Sequence, residues 1–456
     1  MKYISTRGAG EPLKFTDTIL TGLARDGGLF LPEQIPDVRR SLSAWSKLSY
    51  TDLAFEIMRL FADDIPEAHL REIIRKSYAT FRHAEVTPVV RVGDFFILEL
   101  FHGPTLAFKD VALQFLGNLF EYVLAQTNGR MNIVAATSGD TGSAAIYGVR
   151  GRERITIFVM HPHGRVSPMQ EKQMTTVLDA NVCNLAVEGT FDDCQNIVKD
   201  LFNDLAFRDA NHLGAVNSIN WARVLAQIVY YFYAAFRVQE QTGAQQVRFS
   251  IPTGNFGDIF AGYMACRMGL PIDKLVLATN ENDILSRYFN TGTYCLGDVA
   301  PTLSPSMDIQ VASNFERYLY YLAGEDAETL KQWMATFKKT GSLVTGVANH
   351  SCMVAGRGDT AMTLATIREC WEKHQVLLDP HTAVGVAVAQ QFVSATAPMI
   401  CLATAHPAKF GAAIEQATGK DLAHHPILDA LCNLPTRVQV VPADQAIVAA
   451  IVAQKK

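Results

Sequence analysis

The sequence predicts a doubly wound α/β fold that follows a mainly helical N-terminal region. Short, continuously apolar runs, such as ITIFVM at residues 155–160, are typical of strands buried inside a parallel sheet. Segments with helical apolar spacing, such as residues 109–124, alternate with these runs, and glycine-rich turns join several strands to the helices that follow. This order indicates right-handed crossovers between parallel strands.

The first 85 residues differ from the rest because they contain helical patterns and turns rather than alternating strands. One helical pattern starts near residue 51, with Thr51 as a candidate N-cap. A second covers residues 67–78. We therefore expect a mainly helical N-terminal domain over residues 1–85.

From residue 86 onward, strand and helix patterns alternate. The predicted strands lie at residues 95–100, 133–136, 155–160, 182–187, 247–251, 275–278 and 399–402. The longest predicted helices lie at residues 109–124, 191–205 and 221–238, and the last of these has an amphipathic pattern.

Composition limits the function classes. The chain has 456 residues, 49% of them hydrophobic, and a net charge of −5, so neither disorder nor a nucleic-acid or membrane partner is expected. Its eight cysteines form no Cys-x-x-Cys pair and no zinc spacing, which favours free thiols and no metal site. No apolar run approaches the ~20 residues of a membrane span. We expect a cytoplasmic enzyme that is a monomer or homodimer.

The segment FHGPTLAFKD at residues 101–110 places Lys109 between Phe108 and Asp110, just before a predicted helix. An apolar setting lowers a lysine pKa from its usual ~10.4, and a neutral amine can form a Schiff base with a carbonyl. The alternative is a solvated lysine at a helix end, as most lysines are.

Two glycine-rich loops lie between a predicted strand and a predicted helix, where backbone N–H groups and the helix dipole attract anions. The alternative for each loop is a tight turn with a capped helix, with Asp258 as the cap in the first. No lysine follows at the spacing of a nucleotide-binding P-loop. The candidate residues are Gly254, Asn255, Phe256, Gly257 and Asp258 in the first loop, and Ser138, Asp140 and Thr141 in the second.

Two further side chains follow predicted strands. Thr404 could donate a hydrogen bond to a ring nitrogen and, being neutral, would leave that nitrogen largely unprotonated. Arg165 could pair with a substrate phosphate, although an exposed loop arginine is the alternative. A lysine and two anion loops together indicate pyridoxal phosphate and an amino-acid substrate.

The motifs that carry these residues resemble the threonine synthase family. They are FHGPTLAFKD, ATSGDTGSAA, GRVSPMQ, SINWARVLAQ, TGNFGD, ATNENDI, LSPSMDI and TAHPAKF, with STRG and GGLFLP near the start. They run in the family's order from residue 5 to about residue 410. Two departures are Thr253, where the family pattern suggests serine, and Ser306, where it suggests alanine.

The resemblance implies the tryptophan synthase β-like fold (fold type II), with two α/β lobes. It implies that Lys109, in a lobe over residues 86–215, attaches pyridoxal phosphate, and that residues 254–258, in a lobe over residues 216–456, hold its phosphate. Thr404 would contact the pyridine nitrogen. Residues 138–141 would hold the substrate carboxylate.

The implied reaction converts O-phospho-L-homoserine and water to L-threonine and phosphate. An alternative is a phospho-lyase on the same scaffold that releases a 2-keto acid, ammonia and phosphate. A non-catalytic binding protein would be expected to have lost the lysine or a loop, and both are intact. A dinucleotide-dependent oxidoreductase is disfavoured because no strand is followed by a Gly-x-Gly-x-x-Gly turn.

Overall fold

The computed structural model describes residues 1–137, 139–346 and 352–455. The N-terminal region is helical apart from one antiparallel strand pair. Its elements are β1 (Tyr3–Ser5), α1 (Phe15–Thr21), β2 (Phe30–Pro32), α2 (Leu42–Trp45), α3 (Tyr50–Met58) and α4 (Glu67–Tyr78). The predicted helix over residues 67–78 is confirmed. The predicted cap is wrong: α3 follows Ser49, whose hydroxyl accepts the backbone N–H of Asp52.

The chain then alternates strands and helices through its first α/β half. The elements are β3 (Val89–Val92), β4 (Phe95–Glu99), α5 (Lys109–Gln126), β5 (Met131–Ala136), α6 (Asp140–Val149), β6 (Ile155–Pro162), α7 (Pro168–Thr175), β7 (Val182–Glu188), α8 (Phe191–Asn203), α9 (Leu205–Ala210) and β8 (Leu213–Gly214).

The second half starts with the longest helix and continues the alternation. The elements are α10 (Trp221–Thr242), β9 (Val247–Pro252), α11 (Gly257–Arg267), β10 (Ile272–Thr279), α12 (Ile284–Thr291), β11 (Thr293–Cys295), α13 (Phe315–Leu322), α14 (Ala327–Thr340), β12 (Ser342–Val344), β13 (Met353–Arg357), α15 (Thr360–His374), α16 (Pro380–Ala389), β14 (Met399–Ala403), α17 (Gly411–Thr418), α18 (Pro426–Leu431), β15 (Gln439–Pro442) and α19 (Gln445–Ala453).

Two sheets form the centres of two α/β lobes. The larger has the order β13-β10-β9-β14-β4-β3, and its strands are parallel except for the antiparallel pair β3–β4. The smaller has the order β15-β7-β6-β5-β8 and is parallel throughout. The predicted α/β fold with parallel sheets is therefore confirmed.

The two sheets do not follow the expected division at residue 215. Strands β3 and β4 precede that position, yet they pair beyond β14 in the larger sheet. Strand β15 lies near the end of the chain, yet it pairs with β7 in the smaller sheet. Each sheet thus contains strands from both sides of residue 215, because pairing between distant segments decides which sheet a strand joins.

Helix α10 lies in the core, where it packs against α11, α5 and α3. The sequence predicted an amphipathic helix, but every residue from Trp221 to Phe236 is buried. Its polar residues are accommodated internally; Arg223 donates to the Val216 carbonyl at 3.1 Å. All eight cysteines are free thiols. Across the described part of the chain, no helix combines the length and apolar character needed to cross a membrane.

Candidate active site

Lys109, the loop at residues 254–258 and Thr404 follow the carboxyl ends of β4, β9 and β14, which are neighbours in the larger sheet. Two of the loops that leave these strands are joined by backbone hydrogen bonds. The Phe108 N–H donates to the Thr404 carbonyl at 2.8 Å, and the His406 N–H donates to the Leu106 carbonyl at 3.0 Å. The loop that leads to Lys109 is therefore fixed to the loop that carries Thr404.

Lys109 is the first residue of α5, and its side chain is buried. Its Nζ donates to Ser306 Oγ at 3.5 Å and lies 3.8 Å from Asp140 Oδ2. Burial lowers the pKa of Lys109; the carboxylate of Asp140 opposes this shift, and the nearby cations of Lys409 and Arg223 add to it. A larger share of this amine is therefore neutral near pH 7 than for an exposed lysine.

Asp140 is a buried carboxylate shared by two lysines. Its Oδ1 accepts from Lys409 Nζ at 2.7 Å and from Gln170 Nε2 at 3.0 Å. Burial alone would raise the pKa of Asp140, but the ammonium groups of Lys409 and Lys109 lower it well below its usual range. The ionised side chain would repel a substrate carboxylate, so only the backbone of this residue is suited to hold one.

The backbone at the start of α6 remains available to an anion. Thr137 Oγ1 accepts the N–H groups of Gly139 and Gly142, at 3.0 and 2.9 Å. The N–H groups of Asp140 and Thr141 have no acceptor among the described residues. Thr141 is half-buried, and Ser138 lies outside the described residues.

The loop from Gly254 to Asp258 presents five consecutive N–H groups for which the described part of the chain offers no acceptor. A Cβ on Gly254 would lie 2.4 Å from the Ser306 carbonyl oxygen, so only glycine fits there. Phe256 has the left-handed φ of +64°, and its ring packs on Phe289 and Phe315. The N–H groups of this loop lie at the N-terminus of α11, where an anion can bind.

The Asp258 side chain turns away from this loop. Its Oδ1 accepts from the Tyr231 hydroxyl at 2.9 Å and also from the Tyr230 hydroxyl. Burial raises the pKa of Asp258 to about 6, while the tyrosine hydrogen bonds oppose the shift. The interpretation of Asp258 as the helix cap is wrong, and only its N–H belongs to the candidate anion site.

Thr404 and Arg165 differ in placement. Thr404 is buried; its N–H donates to Thr382 Oγ1 at 3.1 Å. Arg165 is exposed in the loop after β6, and no hydrogen bond or ion pair between described residues joins its guanidinium to Lys109 or Asp140. Thr404 thus lies in the loop that is fixed to the loop before Lys109, whereas Arg165 is exposed in the loop after β6.

Sequence reasoning missed four contributors. Lys409 lies in the TAHPAKF segment quoted for Thr404, and its complete burial beside Asp140 depends on tertiary contacts. Ser306 stood out only as a departure from the family pattern. His381 and Asp379 start α16 as a buried pair whose Nδ1 and Oδ1 lie 2.9 Å apart, and Asp379 was visible in the sequence only as a capping residue before proline.

A phosphorylated aldehyde fits this arrangement. The buried amine of Lys109 can attach a carbonyl carbon, and the open N–H groups of the loop that starts at Gly254 can hold a phosphate. The turn Pro305–Met307 contacts both, because Ser306 touches Lys109 through its hydroxyl and Gly254 through its carbonyl. Within the described ranges, no group of three or more His, Cys, Asp or Glu residues could hold a metal ion.

Comparisons with known proteins agree with this site. Family models described as "Threonine synthase N terminus", "Pyridoxal-phosphate dependent enzyme" and "Threonine synthase, C-terminal" match residues 2–78, 81–357 and 382–452. Threonine synthase from Schizosaccharomyces pombe is 48% identical, with 91% of this chain and 89% of that protein covered. Threonine synthase from Pseudomonas aeruginosa is 47% identical, with 100% and 98% covered.

A solved structure agrees with the sequence comparisons. The crystal structure of threonine synthase from Brucella melitensis, with pyridoxal phosphate bound, has a TM-score of 0.96 and 48% identity over 100% of this chain and 99% of that one. The predicted fold type II and the expected cofactor are therefore confirmed. The chain belongs to the threonine synthase family.

Proposed function

We propose that Lys109 attaches pyridoxal phosphate and that the loop at residues 254–258 holds the phosphate of that cofactor. Pyridoxal phosphate is the cofactor of this chain, whose reaction converts O-phospho-L-homoserine and water to L-threonine and phosphate. The observation that supports the residue assignment is the turn Pro305–Met307, which touches Lys109 Nζ on one side and Gly254 on the other.

The phosphate would be held by backbone N–H groups and the dipole of α11, with no lysine or arginine required. The Thr404 hydroxyl would meet the pyridine nitrogen, since its loop is hydrogen-bonded to the loop before Lys109. When bound, the cofactor takes up the negative charge that develops as the substrate loses its Cα proton.

Lys109 is the residue that we assign to proton transfer. Its neutral Nζ can take the Cα proton of the substrate as a general base and return it later in the reaction. Burial increases the neutral share of this amine, and contacts with Ser306 and Asp140 hold Nζ in place.

The substrate carboxylate would lie against the start of α6. The groups proposed to hold it are the N–H groups of Asp140 and Thr141, the Thr141 hydroxyl, and Ser138. Arg165 is proposed as a ligand of the substrate phosphate, supported by its position in the loop after β6. Its exposure means that it would have to turn inward to reach the substrate.

The phospho-lyase alternative is not favoured, because the curated relatives that match at 47–49% identity are threonine synthases. The distinguishing assay incubates the purified protein with O-phospho-L-homoserine and measures threonine, 2-ketobutyrate and phosphate together. We expect threonine and phosphate in equal amounts. Equal amounts of 2-ketobutyrate and phosphate, without threonine, would establish the lyase instead.

The same assay tests Lys109. Replacing Lys109 by alanine removes both the attachment point and the proposed base, so we expect turnover to fall at least about 1,000-fold. Lys420→Ala, at an exposed position, is the matched control and should leave turnover unchanged. Near-normal threonine formation by the Lys109 variant would reject the assignment.

The proposal also covers the cellular compartment, the partners and the oligomeric state of the enzyme. A net charge of −5 and eight free cysteines support a cytoplasmic enzyme without a nucleic-acid partner. We propose that it is a monomer or a homodimer, which the molar mass in solution tests directly.

A further inference from the structure

We propose that Ser306 is a positioning residue for Lys109, and that the buried pair His381–Asp379 locks the turn that carries it. In this role, the Ser306 hydroxyl accepts a hydrogen bond from Lys109 Nζ whenever the amine is not bound to the cofactor. The inference rests on the proposed attachment of the cofactor to Lys109.

The contact itself is direct. Ser306 Oγ lies 3.5 Å from Lys109 Nζ, closer than the Asp140 carboxylate at 3.8 Å. The lysine amine is buried, so bulk water does not compete freely to orient it. A hydroxyl at this distance can orient the amine by hydrogen bonding, and it carries no charge that would cancel the charge of the ammonium.

The turn Pro305–Met307 is held in place by a hydrogen bond to the imidazole of His381. The Ser306 N–H donates to His381 Nε2 at 3.2 Å, and His381 Nδ1 lies 2.9 Å from Asp379 Oδ1. A backbone N–H cannot accept a hydrogen bond, so Nε2 carries no proton and Nδ1 donates to Asp379. His381 is therefore a neutral imidazole with one tautomer, and both members of the pair are buried.

The chain on either side of the turn is fixed as well. Asn280 Nδ2 donates to Thr302, Ser304 and Asp308, at 2.8 to 2.9 Å. The Ser306 carbonyl lies against Gly254, where a Cβ would come within 2.4 Å of its oxygen. Ser306 therefore has little freedom to move away from Lys109.

The fold does not require the hydroxyl. The His381 contact uses the Ser306 N–H and the Gly254 contact uses the Ser306 carbonyl, so both can form without Oγ. Ser306→Ala therefore removes one hydrogen-bond acceptor from Lys109 with little risk to folding. Ser306→Thr is the matched variant that keeps a hydroxyl.

The expected effect has a definite sign. An ammonium donates a stronger hydrogen bond than a neutral amine, so the Ser306 hydroxyl favours the protonated form of Lys109. Losing it should lower the pH at which Lys109 is half neutral by about 0.5 to 1 unit. The charged groups that act on Lys109 are unchanged by the substitution: Asp140 from α6, Lys409 from the turn after β14, Arg223 from α10 and Asp110 from α5 itself.

The test uses cofactor-free protein and does not depend on turnover. Pyridoxal phosphate is added between pH 6 and pH 10, the rate of covalent attachment is followed by absorbance, and borohydride trapping with peptide mapping identifies the modified lysine. We expect the half-maximal rate of Ser306→Ala at a pH about 0.5 to 1 unit below that of the unaltered chain, and that of Ser306→Thr within 0.2 unit.

Steady-state kinetics provide a second readout. Ser306→Ala should lower kcat about 3- to 10-fold and leave KM within 2-fold, because substrate-binding groups are untouched. Identical pH profiles and kcat for Ser306→Ala and the unaltered chain would overturn the inference while leaving the Lys109 assignment intact. Attachment at a lysine other than Lys109 would overturn both.

Discussion

Two of the buried charges near Lys109 form an ion pair with each other. Asp140 lies between Lys109 and Lys409, and the side chain of Lys409 is completely buried. Lys409 Nζ also donates to the Thr105 carbonyl at 2.9 Å, in the loop that leads to Lys109. Lys409 therefore makes the closer ion pair with Asp140, so Asp140 attracts Lys109 more weakly.

Substituting Lys409 by methionine tests this distribution of charge. Without Lys409, Asp140 acts on Lys109 alone, so the pKa of Lys109 should rise and attachment of pyridoxal phosphate should need a higher pH. Breaking a buried ion pair should also lower the free energy of unfolding by about 3 kcal/mol or more. Attachment rates against pH and urea denaturation measure the two effects.

The control for this variant is Lys420→Met, which removes an exposed lysine nearby in the sequence. It should change neither quantity. If Lys409→Met shifts the attachment profile to lower pH, our account of the Asp140 pairing is wrong.

Single residues also show where sequence reasoning stops. Lys109 and the glycines of the loop at residues 254–258 could be found because desolvated lysines and glycine turns leave local signals. Asp140 could be located but its partner could not, since Lys409 is 269 positions away in the sequence and meets it only in the folded chain. The side chain of Asp258 meets Tyr230 and Tyr231, a contact that depends on the packing of α10 against α11 and leaves no local signal.

At the scale of elements, the contact between α10 and α11 supports the anion loop from behind. Helix α11 begins directly after the loop, and its Asp258 accepts hydrogen bonds from Tyr230 and Tyr231 on α10. The second carboxylate oxygen of Asp258 has no partner among the described residues. A buried carboxylate with one unpaired oxygen favours the protonated state.

This contact predicts a specific pH dependence of stability. The pKa of Asp258 is raised to about 6 in the folded chain, above its unfolded value near 3.8. Its contribution is therefore fully present below about pH 4 and is lost as pH rises through 6. Compared with Asp258→Asn, the unaltered chain should gain about 2 kcal/mol of unfolding free energy between pH 7 and pH 4.

Urea denaturation of both proteins at pH 4, 5, 6 and 7 measures this difference. Asp140 is present in both proteins, and its contribution to stability decreases as pH falls. Subtracting the unfolding free energies of the two proteins at each pH removes that contribution. Asp421→Asn, at an exposed position, serves as the control. Parallel pH curves for Asp258→Asn and the unaltered chain would contradict the raised pKa.

The sequence largely predicted which segments form helices and which form strands. It did not predict how deeply each of them is buried. The strand at residues 182–187 was found from its apolar run and observed as β7, Val182–Glu188. Helix α10 was found from its period and predicted to be amphipathic, but the polar face of its first sixteen residues is buried. That face is covered because α10 packs against other helices, and Arg223 finds its hydrogen-bond partner in the Val216 carbonyl.

At the scale of the whole molecule, distant segments complete each lobe. The last forty residues carried no recognisable motif, yet β15 closes one edge of the smaller sheet, and α19 packs on α8. Val441, Val448 and Val452 are buried in the same apolar cluster as Leu185. Sequence patterns cannot reveal this, because strand order depends on contacts across more than 240 residues.

Removing residues 437–456 should therefore destabilise the smaller lobe. Losing the burial of three valines costs about 5 kcal/mol, and the freed edge of β7 can pair with other chains. We expect a shift of urea unfolding to lower concentration, together with aggregation measured by light scattering. Removing only residues 454–456 is the control, and an unfolding curve unchanged by the longer truncation would contradict the role of β15 and α19.

The central claim is that the buried amine of Lys109 carries the cofactor, and peptide mapping after borohydride reduction tests it most directly. The site contains a second buried lysine, Lys409, so the result is informative in either direction. We expect the reduced pyridoxal phosphate on the peptide that contains Lys109, and no labelled peptide in Lys109→Ala. A label on Lys409, or on any other lysine of the unaltered chain, would contradict the account.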